Sequence, residues 1–238
     1  MNTPEKKIEL ISDKKFLKLI DIRYEKDAHY YAATRRALGS TFAILSEKEG
    51  KLELSDAVTV VLVIEEKGSR KLYLNYEYRY PAGRFLLSPV AGLIDKEDRE
   101  GADKLLEELK NSDKPIEELT KEYEHVITNV LRTTAVREIY EETGYDAKNA
   151  EFTILSPAVF SSPGITDESN AMVKCVMKLN ENENVKANPV GTEVFSGHEL
   201  LSKDEAKEIL KKGRDKFGNF IPVYTYVALN EFVNETIY

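Results

Sequence analysis

The 238-residue sequence has one cysteine, Cys175, and only three histidines. A single cysteine excludes an intramolecular disulfide, and the apolar residues around it, 171–177, predict that it occupies a buried strand position. The histidines, His29, His125 and His198, are too widely spaced in the chain to predict a histidine metal site. Any metal chemistry is therefore expected to depend on other side chains.

Long apolar runs are also missing, so no segment is predicted to cross a bilayer. Near the N-terminus, Lys6, Lys7, Lys14 and Lys15 are followed only by short apolar stretches, which does not resemble a signal peptide. We therefore expect a cytoplasmic protein without a membrane partner. A length of 238 residues allows one large domain, or one domain with a small appendage, and the hydrophobic share of 42% and charged share of 32% are ordinary for a globular protein.

The sequence has fewer basic than acidic residues, 34 against 42, which gives a formal net charge of −8. Phosphate backbones are bound by basic patches, and the sequence shows neither such a patch nor a helix-turn-helix pattern, so nucleic acid is not expected as the partner. A phosphorylated small molecule stays compatible with an acidic chain, since divalent cations can bridge carboxylates to phosphate.

The pattern of apolar residues mixes strands and helices without regular βαβ alternation, which predicts an α+β fold. Strands are predicted within 16–36 and at 41–45, 57–64, 71–76, 152–159 and 171–177. Two surface helices are predicted within 99–129, a third follows the capping box at Ser202 and ends at Gly213, and a fourth begins near Tyr224. Residues 180–191 read as a polar loop.

The segment 137–145, with the sequence Arg-Glu-Ile-Tyr-Glu-Glu-Thr-Gly-Tyr, concentrates acidic side chains on one face of a helix. At 100° per residue, Glu138, Glu141 and Glu142 converge, and two of them lie in the last turn before Gly144, where the helix dipole disfavours anions. A bound Mg²⁺ or Mn²⁺ would offset this unfavourable concentration of negative charge. A solvated charged face is the ordinary alternative for such spacing, and the spacing alone does not exclude it.

The residues around these glutamates favour metal binding over a solvated charged face. From Arg137 onward, every defined position resembles the second half of the Nudix box, Gly-x5-Glu-x7-Arg-Glu-U-x-Glu-Glu-x-Gly-U, in which U is aliphatic or aromatic. Residues 89–95, Pro-Val-Ala-Gly-Leu-Ile-Asp, resemble the opening of the box in ADP-ribose pyrophosphatase-like members. Residues 75–84 and 162–168 resemble the Gln-Tyr-Arg segment before the box and the Ser-Pro-Gly loop after it. The chain is therefore identified as similar to Nudix hydrolases.

The two halves of the box are separated by an insertion at about residues 99–129. Spacing from Gly92 places Asp98 at the position of the box glutamate, whereas counting back from Arg137 reaches Asn129. Neither residue is glutamate, and we expect a changed loop rather than a lost metal site.

The resemblance implies a Nudix-type α/β/α sandwich with a mixed sheet in residues 51–238, preceded by N-terminal strands in residues 1–50. It implies Mg²⁺, with Mn²⁺ as a substitute, held by Glu138, Glu141, Glu142 and Glu168. It assigns catalysis to Glu138, Glu142 and Glu168, and leaves the general base open between the first and the last of these.

The same resemblance implies a pyrophosphatase acting on a nucleoside diphosphate linked to another group, with ADP-ribose, cleaved to AMP and ribose 5-phosphate, as the leading substrate. Another nucleotide sugar, a dinucleotide, or a nucleotide sensor without catalysis are the alternatives. Arg79, Arg84 and Gly92 are the expected substrate contacts. Arg137 is expected to anchor the helix through ion pairs, and the N-terminal strands are expected to form a homodimer.

Overall fold

This computed structural model describes residues 6–25, 28–178 and 193–235, which form two separate sheets, five α-helices and two short 3-10 helices. The predicted loop at 180–191 lies outside the described residues. The strands are β1 Lys6–Lys14, β2 Leu17–Tyr24, β3 Ala28–Thr34, β4 Ala57–Glu66, β5 Ser69–Arg79, β6 Arg84–Ser88, β7 Val90–Leu93, β8 Glu151–Phe160, β9 Ser169–Lys178 and β10 Phe195–Leu201. The helices are α1 Glu47–Lys51, α2 Ala102–Lys110, α3 Ile116–Thr143, α4 Lys203–Lys212 and α5 Val223–Asn234.

The N-terminal strands β1, β2 and β3 form an antiparallel sheet of their own. The larger sheet has the order β10-β5-β4-β9-β8, with β6 paired to β5 and β7 paired to β4. Its central strands β4 and β9 run parallel, while the other pairs are antiparallel. The predicted α+β class, the mixed sheet and the N-terminal strands are confirmed.

The position of strand β4 in the sheet explains why its sequence is almost continuously apolar. Val58, Val60 and Leu62 pack in the same core cluster as helix α3, whereas Val61 and Val63 pack in the cluster that contains α4 and α5. Alternate side chains of a strand point to opposite faces, so a strand covered by helices on both faces needs apolar residues at every position. The large sheet is thus the central layer of an α/β/α sandwich.

The insertion is helical, as predicted, but its second helix does not end before the acidic segment. Helix α3 has 28 residues and runs without a break from the insertion into the acidic segment that begins at Arg137, over about 42 Å. The description of this helix as a surface helix is wrong for one of its faces, because Leu119, Tyr123 and Ile127 are buried in the core. The insertion is therefore continuous with the helix that carries the acidic motif.

The predicted strand at 41–45 is wrong. The Ile44 amide donates to the Thr41 carbonyl over 3.1 Å, which makes a turn, and a capping box of Ser46 and Glu49 then begins α1. The Ser46 oxygen accepts from the Glu49 amide and the Glu49 side chain accepts from the Ser46 amide, so this pair stabilises a helix start rather than a strand.

The C-terminal helices agree with their sequence signals. Ser202 and Glu205 form the predicted capping box of α4, and Gly213 ends it in the left-handed conformation with φ of 65°. Helix α5 begins at Val223, next to the predicted start. In the described part of the chain no helix has the length and apolar character needed to span a membrane.

Candidate active site

Three carboxylates from two distant parts of the chain meet beside a cavity of about 620 Å³. Glu138 and Glu142 are buried on one side of α3, one turn apart, and Glu193 reaches them from the segment that leads into β10. Each of the three offers an oxygen, and these oxygens lie within 4.8 Å of one another. Hard divalent cations prefer such oxygen ligands, so the donor set fits a Mg²⁺-like ion.

Glu193 is the site residue that the sequence did not predict. It is placed by the antiparallel pairing of β10 with β5, in which Phe195 lies opposite Glu77, and by the 2.8 Å bond from the Tyr78 amide to the Val194 carbonyl. A lone glutamate at the start of a strand belongs to no local motif. Only knowledge of which strands pair could have brought it to the acidic helix.

Glu142 is held from two directions. The Asn75 side-chain amide donates to its Oε2 over 2.5 Å, and the Ala91 backbone amide donates to its Oε1 over 3.0 Å. Burial raises the pKa of Glu142 well above its usual value, the Ala91 hydrogen bond opposes this, and the nearby charge of Glu193 adds to it. A cation at this place would relieve the cost of ionising so buried a carboxyl group.

Glu138 lies against the backbone of Gly92, at the end of β7. A methyl group added at Gly92 would fall 1.8 Å from Oε1 and 2.4 Å from Oε2 of Glu138, far inside van der Waals contact. The observed position of the Glu138 carboxylate therefore requires that residue 92 carry no side chain. Burial raises the pKa of Glu138 to about 7, although the neighbouring Arg137 guanidinium lowers it.

Arg137 joins the two halves of the interrupted box. Its guanidinium contacts Asp98 Oδ2 at 2.7 Å, Glu138 Oε1 at 2.8 Å and Glu141 Oε2 at 3.2 Å, and donates to the Leu93 carbonyl over 2.9 Å. These ion pairs are those expected of a helix-anchoring residue.

Asp98 occupies the place that spacing from Gly92 gave to the box glutamate. Its side chain is buried, and although burial alone would raise its pKa, the hydrogen bonds from Arg137 hold that pKa below the usual value. Asn129, the other position reached by counting, is exposed. Asp98 is therefore the one of these two residues that contacts Arg137 across the insertion.

Glu141 and Glu168, the other two predicted metal ligands, lie near the group of three carboxylates. Among the described residues they are not part of that group. Glu141 is partly exposed and pairs with Arg137. Glu168 lines the same cavity, where its Oε2 accepts from Arg35 Nε over 2.6 Å. The structure thus brings together Glu138 and Glu142 of the predicted set and places Glu168 on a neighbouring wall.

The two predicted arginine contacts differ in position. Arg79 lines the cavity and its guanidinium lies 2.5 Å from Glu77 Oε2. Arg84 is exposed, donates from Nε to the Ala82 carbonyl over 3.2 Å, and lies outside the cavity wall formed by the described residues. Of these two side chains, Arg79 is the one placed to meet a ligand.

The raised pKa of Glu138 predicts how the stability of the metal-free chain depends on pH. Its folded-state pKa of about 7 exceeds the ordinary 4.5, so its contribution is fully present below pH 4.5 and is lost as the pH rises through 7. We expect the free energy of unfolding to fall by about 3 kcal/mol over this window, and saturating Mg²⁺ to remove most of the fall. Urea unfolding at pH 5 and pH 8, with Mg²⁺ or with chelator, measures both. Glu138→Gln showing the same pH dependence as the natural chain would contradict this assignment.

Comparison with known proteins agrees with this geometry. No family model matches the chain. A Caenorhabditis elegans protein, "Putative nudix hydrolase 2", is 24% identical over 156 residues, which are 66% of this chain and 51% of that protein. The chain thus spans about half the length of the curated relative it matches.

A solved structure, "Crystal structure of ADP compounds hydrolase", is similar in fold over 98% of this chain and 95% of its own, with a TM-score of 0.50 and 14% identity. The predicted fold is confirmed, and the two similarities agree with the resemblance to Nudix hydrolases found in the sequence.

Proposed function

We propose that this Nudix-type chain uses Mg²⁺ to hydrolyse a nucleoside diphosphate linked to a second group, and that ADP-ribose is its substrate, with AMP and ribose 5-phosphate as products. The observation that carries the proposal is the convergence of Glu138, Glu142 and Glu193 beside a cavity of about 620 Å³. That volume is in the range of small-molecule sites. The similarity of fold to a protein described as an ADP compounds hydrolase supports the nucleotide part of the substrate.

The carboxylate group fits a divalent cation on chemical grounds. Its donors are all oxygens, and burial raises the pKa of both Glu138 and Glu142, so ionising them without a counter-charge is unfavourable. Mg²⁺ and Mn²⁺ both accept such ligands. When bound, the cation supplies positive charge that neutralises the oxygens of the diphosphate.

The protein's own residues then orient the reacting groups. Asn75 and the Ala91 amide fix Glu142, Arg137 fixes Glu138, and the bare backbone at Gly92 leaves room for both carboxylate and substrate. Arg79 is proposed to bind a phosphate through its planar guanidinium. A phosphate contact by Arg84 stays a prediction from the resemblance alone.

The chemical step requires a general base. Water attacks one phosphorus, the bond from that phosphorus to the bridging oxygen breaks, and the base accepts the proton that the water loses. The sequence leaves the base open between Glu138 and Glu168, and Glu193, which lies in the carboxylate group, is proposed as a further candidate. Glu168 lies on the cavity wall with Arg35 as its partner.

A comparison of Glu193→Gln with Glu168→Gln distinguishes the two candidate bases that lie outside α3. We expect Glu193→Gln to lower the turnover number by about 100-fold or more, since it removes a carboxylate from the group of three, and Glu168→Gln to lower it less. Steady-state kinetics at saturating Mg²⁺ measures both. A larger loss from Glu168→Gln would assign the base to Glu168.

A substrate panel tests the proposal as a whole. ADP-ribose, a nucleotide sugar and a dinucleotide are each incubated with the protein, with Mg²⁺ or with chelator, and the products are separated by chromatography. We expect AMP and ribose 5-phosphate from ADP-ribose only when Mg²⁺ is present. Preferred cleavage of the nucleotide sugar or the dinucleotide would show that this compound, and not ADP-ribose, is the substrate. Binding of a panel compound without cleavage of any would favour a nucleotide sensor.

A homodimer formed through the N-terminal sheet is part of the proposal. This sheet exposes several large apolar side chains, namely Leu10, Ile11, Phe16, Leu17, Leu19 and Tyr31, and the Tyr30 hydroxyl donates over 2.6 Å to the carbonyl of Gly164, four residues before Glu168. Exposed apolar patches of this kind mark interaction surfaces.

We expect light scattering to show a dimer that Leu17→Ser converts to a monomer, because a buried hydroxyl would replace an apolar contact. Leu105→Ser, at a leucine of equal 47% exposure on α2, is the control and should leave the dimer intact. A natural chain that is monomeric at micromolar concentration would exclude this interface.

A further inference from the structure

Arg36 is a buried arginine that the proposed chemistry does not use. Its side chain is 7% exposed, and its guanidinium bonds Glu53 Oε1 at 2.7 Å, the Leu54 carbonyl at 3.0 Å and Asp56 Oδ1 at 3.0 Å. It also lies 4.4 Å from the centre of the Phe42 ring. A buried charge that loses a partner is strongly destabilising, so these contacts fix the segments around Arg36 relative to one another.

One branch of these contacts leads to the cavity. Asp56 Oδ2 accepts from the backbone amide of Ser169 at 2.9 Å and from its hydroxyl at 3.2 Å, while the Asp56 amide donates to the Ser169 carbonyl at 3.0 Å. Ser169 is fully buried and lies between Glu168 and Asn170, which both line the cavity. The position of this wall is therefore tied to Asp56.

A second branch reaches the same wall from the N-terminal side. The backbone amide of Phe42, whose ring lies beneath the Arg36 guanidinium, donates to Asp167 Oδ2 over 3.2 Å. Asp167 immediately precedes Glu168, so the loop before β9 is held on both sides by groups that contact Arg36.

The opposite branch leads to the insertion. Lys110, the last residue of α2, lies 2.5 Å from Glu53 Oε2, and the hydroxyl of Tyr123 in α3 donates to the Glu53 carbonyl over 2.8 Å. Glu53 thus accepts from both inserted helices and, through its other carboxylate oxygen, from Arg36. The insertion is therefore linked to the cavity wall by a chain of contacts through Glu53, Arg36 and Asp56.

We propose that Arg36 is a positioning residue and that the inserted helices brace, through Lys110 and Tyr123, the wall that carries Glu168 and Asn170. The effect on catalysis rests on the proposed function, whereas the bracing of the wall does not. The insertion then acts on the site by holding the wall in place, and it needs to contact neither the substrate nor the cation.

Lys110→Met tests the brace, because it removes the cation from Glu53 at the edge of the network. We expect the Ser169 amide hydrogen to exchange at least about threefold faster, and kcat/KM for the hydrolysed substrate to fall by a similar factor. Lys110→Arg, which keeps the charge, should restore both values. Lys104→Met removes the same charge from an exposed position of α2, where Lys104 pairs with Glu108, and should change neither.

Two further measurements make the outcome decisive. In the double variant Lys110→Met with Glu168→Gln, the loss of kcat/KM should be smaller than the product of the separate losses, since both changes act on one wall. Arg36→Lys should accelerate Ser169 exchange more than Lys110→Met does. Unchanged exchange in Lys110→Met overturns the proposal even if Arg36→Lys fails to fold. Accelerated exchange in a chain that hydrolyses no nucleotide would leave the brace standing and reject the proposed function.

Discussion

Replacing Glu142 with glutamine is expected to lower the turnover number by about 10³-fold while the protein stays folded. The substitution removes the charge that a divalent cation requires. The new amide group would also face the Asn75 side-chain amide, which now donates to Glu142 Oε2 over 2.5 Å. The fold is expected to survive because burial already favours the neutral form of Glu142, as its raised pKa indicates.

Steady-state kinetics at saturating Mg²⁺, together with the thermal midpoint of unfolding, measures this result. Glu124→Gln, at an exposed position of the same helix, is the matched control and should retain full turnover. If Glu142→Gln kept its Mg²⁺-dependent turnover, the catalytic assignment of the carboxylate group would be wrong.

Gly92→Ala is expected to lower turnover by about 100-fold with little loss of stability, because misplacing a catalytic group by about 1 Å can have that effect. The added methyl group would lie 1.8 Å from Glu138 Oε1, so the two cannot coexist. The atoms in its way belong to the end of a flexible side chain. We therefore expect the Glu138 carboxylate to move and the backbone of β7 to stay.

Mg²⁺ titration by calorimetry should show weaker binding in Gly92→Ala, in step with its lower turnover. Gly50→Ala is the control, since a methyl group there meets nothing within 4 Å. Full activity in Gly92→Ala would mean that the position of Glu138 beside Gly92 has no part in the reaction.

The features that the sequence predicted well are those encoded within a few residues. The Nudix-box segment places Glu138 and Glu142 one turn apart on a helix that Gly144 ends, and this follows from helical geometry alone. The unbroken β-branched run of β4 predicted a strand covered on both faces, and the Ser202 capping box predicted the start of α4.

What could not be predicted depends on contacts between distant segments. Glu193 joins the site because β10 pairs with β5, and a single sequence does not show that pairing. Residues 41–45 have the composition of a strand, yet no neighbouring strand is placed to pair with them in the described structure, and the Ser46 capping box imposes a helix directly afterwards. Glu168 matched the expected loop, but Arg35, an N-terminal residue, holds it on the neighbouring wall.

The contact between Arg137 and Asp98 spans 39 positions in the chain, although the two residues would lie eight apart in an uninterrupted box. The chain therefore interrupts the box after Asp98, packs the inserted helices against the same core as β4, and returns to the box along α3 with that ion pair intact. Excising residues 99–129 would restore the Asp-x7-Arg spacing in a single cut. For protein engineering, the junction between Asp98 and α3 is an insertion site. A ligand-responsive module grafted there would join the helix that carries Glu138 and Glu142 directly, without a flexible linker.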